Sequence, residues 1–277
     1  MIFATQTYGL QKEFQADFIG TIRKLHDMGF NGIEPLVVFQ KEQGKMPRNL
    51  WSEESLETAY AVMKQLDMVI PSIHVGVGFG LMAMPYKMAA KNILKVHEKY
   101  GINRFVLSGG FGSVPLTLRW AAYARKISEY VRPSGCTILY HNHDDELHPV
   151  KKGSSKTDLD LFLEKAGPEI KLQIDIGWTG LGADEREIVK QYADRVEILH
   201  LKDFYPEYAH GYSRKTMPKE AFSPIGEGVI RTKEVLDMIP GLPNYAGVVI
   251  IDQDYYKGDM MESLAIGLKN VQAMLHA

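Results

Sequence analysis

The chain is poor in cysteine: Cys136 is its single thiol, inside an apolar run. One cysteine excludes a disulfide framework and a thiolate zinc site, and the thiol itself reads as buried and inert. Charge of one sign is also lacking. The 32 basic and 34 acidic side chains leave a formal net charge of -2, with no basic block or stripe. Nothing therefore argues for a nucleic-acid surface, and a nuclease on the same kind of scaffold is disfavoured on electrostatic grounds. No apolar run reaches 18 residues, and the opening MIFATQTYGLQKEF has neither a basic start nor a sustained apolar stretch. No membrane span and no secretory leader are expected, so the default location is the cytoplasm. No GxGxxG or GxxxxGK[ST] loop occurs, which removes the usual phosphate-binding signatures; SGGFGS at 108–113 is only a weak one.

What is present is alternation. Short apolar runs at 2–7, 32–36, 68–75, 104–108, 137–141, 170–175, 196–201 and 247–252 read as strands. Amphipathic stretches at 13–28, 53–66, 86–99, 115–131, 157–165, 183–193, 232–238 and 260–275 read as helices. Several strands are apolar nearly throughout, as expected when both faces of a parallel sheet are covered. Eight successive strand–helix units predict a single-domain α/β fold over 1–277, a (β/α)8 TIM barrel, with a doubly wound open sheet as competitor. The segment 204–227, rich in Tyr, Pro and Gly, follows the seventh strand and is expected as a lid or binding loop.

Catalytic groups of such barrels gather where strands end. The second strand ends near Glu34, the third in SIHVG with His74, and the fifth in YHNHDDEL (140–147). The sixth gives QIDIGW with Asp175, the seventh ILHLKDF with His200, Lys202 and Asp203, and the eighth IIDQD with Asp252, Gln253 and Asp254. One such residue alone is a loop residue or a cap. A ring of them is a candidate site. Glu146, Asp175, His200 and Asp252 together offer three carboxylates and one imidazole for a divalent cation: Mn²⁺, Mg²⁺, Co²⁺ or Zn²⁺.

YHNHDDEL, QIDIGW, ILHLKDF, PIGEGVI and IIDQD, in this order, resemble the sugar phosphate isomerase/epimerase superfamily of xylose-isomerase-like TIM barrels. The nearest branch by resemblance is the inosose dehydratase and 3-keto-sugar isomerase group. The resemblance implies one divalent metal, Mn²⁺ foremost, held by Glu146, Asp175, His200 and Asp252. Two departures stand out. The last ligand is usually glutamate but is here Asp252, with Gln253 and Asp254 as competitors. A glutamate that often ends the fifth strand is replaced by His141, which moves the expected ligand to Glu146.

The activity implied is proton abstraction next to the carbonyl of a keto-sugar or polyol ketone, through an enediolate, giving isomerisation or epimerisation. A dehydratase or lyase acting on an inosose or 3-keto-glycoside is the alternative, and a non-catalytic sugar-binding subunit the third reading. Expected catalytic residues are His143, Lys202 and Glu146; His74 and Glu227 are further acid–base candidates. Expected substrate contacts are His74, His141, Trp178 and Glu227, with Phe79, Met82 and Met84 near the mouth. The expected partner is a small carbohydrate, with no nucleic acid or membrane, and a homo-oligomer is left open.

Overall fold

A computed structural model describes residues 1–39, 51–77, 84–109 and 111–277. Phe79 and Met82 lie outside the described residues. The strands are β1 (Ile2–Gln6), β2 (Gly32–Glu34), β3 (Leu36–Val38), β4 (Ile73–Gly76), β5 (Arg104–Ser108), β6 (Thr137–His141), β7 (Lys171–Asp175), β8 (Val196–Leu201), β9 (Asp203–Phe204), β10 (Phe222–Ser223) and β11 (Val248–Ile251). Nine of them form one sheet in the order β2-β1-β11-β8-β7-β6-β5-β4-β3. Every pairing in that sheet is parallel. The two ends of the sheet, β2 and β3, are consecutive pieces of chain on either side of Pro35. Proline has no N–H to give to a ladder, so the barrel strand is divided there. Its first half pairs with β1 and its second with β4, which closes the sheet. The expected TIM barrel is the fold.

Helices cover the outside, and the sequence boundaries shift in three places for local reasons. The stretch 13–28 is two helices, Gln11–Ala16 and Phe18–Asp27, because Asp17 breaks the first and caps the second, its Oδ1 accepting from Gly20 N at 2.8 Å. The expected strand 68–75 is shortened to β4, since Pro71 precedes it. IGWTGLG, left between the expected strand 170–175 and helix 183–193, is itself a helix, Ile176–Gly182. Asp175 nucleates it: Oδ1 accepts from Trp178 N at 2.9 Å. Among the described residues no helix is long and apolar enough to cross a membrane.

The barrel interior explains where chemistry can sit. Side chains along a strand alternate, so every second residue points inward. Ala4, Val106, Leu139, Ile198, Val248 and Ile250 pack together as a dry inner plug. Two residues further along the same strands stand Gln6, Ser108, His141, His200 and Asp252, and Lys202 lies beyond His200. Apolar filling thus gives way to polar side chains at the C-terminal end. The larger core lies between barrel and helices, and Cys136 is buried in it, as expected. Over the polar end, β9 and β10 form a short antiparallel pair that pins the base of the 205–221 loop.

Candidate active site

Glu34 is the foundation of the polar layer. Its carboxylate is fully buried and takes hydrogen bonds from Ser72 Oγ and Gln173 Nε2 on Oε1, the latter at 2.6 Å. Oε2 faces His200 Nε2 at 2.7 Å and His74 Nε2 at 3.1 Å. Burial favours the neutral acid, but the neighbouring imidazoles of His74 and His200 outweigh it and hold Glu34 well below the usual carboxylate range.

Gln173 then sets a tautomer. Its Nε2 donates to Glu34, so its Oε1 is an acceptor, facing His74 Nε2 at 2.7 Å and His141 Nδ1 at 3.1 Å. His141 must therefore carry its proton on Nδ1. Burial, reinforced by His200, His74 and His143, keeps its pKa well below the ordinary value. The ring is a neutral imidazole whose Nε2 lone pair is unprotonated and lies 3.9 Å from Asp175 Oδ2.

His200 is fixed from both sides, Nε2 by Glu34 and Nδ1 by Asp252 Oδ2 at 3.2 Å. Burial opposes its protonation, yet Glu34 and Asp252 raise its pKa to about 10. With Glu34 holding Nε2, Nδ1 is the nitrogen turned to the carboxylates, the arrangement by which an outer carboxylate orients a metal-binding imidazole.

Four groups converge: one ligand atom each from His141, Asp175, His200 and Asp252, all within 4.8 Å of one another. The donor set fits a divalent cation. Asp175 spends Oδ1 on the helix it caps, while Oδ2 is buried with no hydrogen-bond partner. Lys202 Nζ is 2.9 Å from Asp252 Oδ2, 2.8 Å from Asp254 Oδ2 and 3.4 Å from Asp175 Oδ2. Burial would lower the lysine's pKa, but Asp252, Asp254 and Asp175 raise it above its usual value, so the group is an ammonium. Burial and the charge of Asp252 lift Asp254 to about 6, against the pull of Lys202. The Lys202 ammonium also lies over the Trp178 ring, 4.9 Å from its centroid.

A cavity of about 720 Å³ opens on this cluster. His74, His141, His143, Trp178, Lys202, Asp252 and Asp254 line it, and the 205–221 loop contributes Arg214, Lys215 and Met217. Trp178 packs with Phe204 and Phe222 as one aromatic wall, with Tyr255 against Phe222.

Three expected residues lie elsewhere. Glu146 is outside the four-group cluster. Its carboxylate accepts from Tyr140 Oη at 2.7 Å and from the backbone N of His143 at 3.0 Å, and Oε1 is 3.5 Å from His143 Nδ1. A short 3-10 turn at Asp145–Leu147 carries it behind the strand end. His141, expected as a substrate contact, lines the cavity and also stands with the candidate ligands. Glu227 is exposed in a turn and does not line the cavity. Met84 is buried away from the mouth, its carbonyl accepting from Tyr123.

The turn holding Glu227 is organised by Asp203. This buried carboxylate accepts from the backbone N–H groups of Phe204, Gly226, Gly228 and Ile230 at 2.9–3.1 Å. Gly228 is required: a Cβ there would stand 2.2 Å from Asp203 Oδ1. Asp203→Ala strands these donors and is expected to cost about 3–5 kcal/mol, read as a lower urea midpoint at unchanged m.

Residues 22–271 match the family described as xylose isomerase-like TIM barrel. No curated protein matches the chain. Solved structures share its fold. A sugar phosphate isomerase/epimerase from Parabacteroides distasonis is 17% identical, with TM-score 0.77 over 98% of this chain and 96% of that one. A xylose isomerase-like TIM barrel protein from Mycobacterium smegmatis, in complex with magnesium, is 13% identical, with TM-score 0.70 over 99% and 96%. D-Psicose 3-epimerase from Clostridium cellulolyticum, with D-tagatose, is 12% identical, with TM-score 0.68 over 99% and 99%. A match over nearly the whole length, on a closed parallel barrel with its polar groups at the C-terminal strand ends, places this chain in the xylose isomerase-like TIM barrel family.

Proposed function

We propose that the protein is a divalent-metal-dependent isomerase or epimerase that removes the proton next to the carbonyl of a keto-sugar or polyol ketone. The observation that carries this reading is the four-group cluster of His141, Asp175, His200 and Asp252 at the floor of a sugar-sized cavity. Those four residues would hold the ion. Two imidazoles beside two carboxylates suit Mn²⁺, Co²⁺ or Zn²⁺ better than an all-oxygen preference such as that of Mg²⁺. When bound, the ion supplies Lewis acidity towards neighbouring carbonyl and hydroxyl oxygens.

The chain's own residues do the rest. Lys202, held as an ammonium, donates to a substrate oxygen and does not serve as base. Proton transfer falls to His143, which lines the cavity with Nδ1 buried and without a hydrogen bond, and to Asp254, whose pKa of about 6 places it near the working range of a general base. Glu146 positions His143 through the backbone N–H and the ring edge. The Trp178 wall packs against the C–H face of the sugar and excludes water. Dehydration is the second reading, because an ammonium such as Lys202 is the acid that a departing hydroxyl needs.

Solvent deuterium incorporation by NMR, on a panel of keto-sugars and inososes with Mn²⁺ and with chelator, tests the reading. Metal-dependent exchange at a carbon beside the carbonyl is expected. The product then separates epimer, isomer and dehydrated ketone. No exchange across the panel in metal-loaded protein contradicts the enzymatic reading and favours a binding subunit.

A further inference from the structure

We infer that the substrate of this site carries an anionic group, a carboxylate or a phosphate ester, which docks on Arg214 and Lys215 at the cavity mouth. The inference rests on the catalytic reading only in placing the sugar in the same cavity. Both cations line that cavity. Both converge on a single oxygen: Asp145 Oδ2 lies 2.9 Å from Lys215 Nζ and 3.6 Å from Arg214 Nη2. Two cations on one carboxylate leave this trio with one positive charge in excess. Asp144, immediately before, does not line the cavity, and its carboxylate accepts from the backbone N of Arg214 at 3.2 and 3.3 Å.

The guanidinium is underused. Of its five donors, Nε is buried without a hydrogen-bond partner, and Asp145 is its one ionic partner among the described residues. A planar fork whose one ionic partner lies at 3.6 Å, beside an exposed ammonium, matches the oxygens of a carboxylate or phosphate. A neutral hydroxyl would occupy one donor of the fork and leave the planar pairing unused. Stability does not explain the pair either. The Lys215 side chain is 63% exposed and that of Arg214 35%, and ion pairs in such positions contribute little to folding. The backbone anchor to Asp144 fixes where Arg214 leaves the loop, so the cation is placed and not merely tethered. The chain has no glycine-rich phosphate loop, which is consistent with anion recognition by side chains.

The test is calorimetric titration of Mn²⁺-loaded protein with glucitol, gluconate and glucitol 6-phosphate, polyols that lack a ketone and report binding without turnover. At least one anionic polyol is expected to bind tenfold or more tighter than glucitol, and the one preferred identifies the anion. In Arg214→Gln/Lys215→Gln protein that preference should vanish while glucitol binding and the melting temperature hold. Equal binding of all three overturns the inference. So does a preference that survives in the double variant, since the anion would then be on the metal. A preference lost in the variant, alongside no deuterium exchange on any ketone, upholds the anion site and counts against the catalytic reading alone.

Discussion

His200→Ala protein is expected to fold, to hold no stoichiometric divalent metal and to show no metal-dependent exchange. The fold survives because Glu34, the partner left behind, keeps Ser72, Gln173 and His74. Destabilisation of about 1–3 kcal/mol is expected from the lost charge-assisted hydrogen bonds. The proposed metal should be lost, because His200 would supply one of four donors and is the one oriented by Glu34. A pH signature separates this from a general loss of structure. In metal-free wild type the folded His200 titrates near 10, above the ordinary imidazole value of 6.5. A raised folded pKa gives stability that is complete below about 6.5 and is lost as pH rises through 10. Metal-free wild type should therefore lose a few kcal/mol between pH 7 and 10, and His200→Ala should lack that slope. Thermal melts in chelator, with metal analysis of the same samples, check both. Stoichiometric metal in the variant contradicts the ligand assignment.

Lys202→Met is the second large effect. The ammonium is buried between Asp175, Asp252 and Asp254, and methionine keeps the bulk against Trp178 while removing the charge. Uncompensated buried carboxylates cost about 3–5 kcal/mol, so the metal-free variant should melt well below wild type. Added Mn²⁺ should recover much of that difference, because a cation again faces the carboxylates. Turnover should stay about 10²–10³-fold down even in metal-loaded protein, because the ammonium that donates to the substrate oxygen is gone. Recovery of stability without recovery of rate is the distinguishing pattern; recovery of both would reduce Lys202 to a charge-balancing role. Gly177→Ala offers a milder version, since a Cβ there would stand 2.5 Å from Lys202 Cβ and displace its stem.

The barrel was legible because parallel strands buried on both faces leave uninterrupted apolar runs, and because eight of them alternate with amphipathic helices. Asp175, His200, Lys202 and Asp252 were legible because each sits at the end of such a run. Gln173 is not among the expected residues, although it stands two residues before Asp175 and so faces the same interior; a polar residue in an otherwise apolar strand is the available signal. Glu34 was visible as a strand end, but its role depends on the closure around Pro35, which brings β2 beside β1 and leaves Glu34 within reach of His200, far away in sequence. His141 stands where the resemblance puts a glutamate ligand, and that substitution is what moves the expected ligand to Glu146. Its protonation is set by Gln173, a contact across strands that spacing along one strand cannot report. Glu146 is turned aside by a single 3-10 turn, below the resolution of periodicity.

The most direct measurement is a crystal of the protein soaked in Mn²⁺, with anomalous difference density recorded at the manganese edge. One peak is predicted, in direct contact with His141, Asp175, His200 and Asp252, with Lys202 turned from its metal-free position between the carboxylates. A peak on Glu146 in place of His141, or no peak among these four residues, would contradict the account.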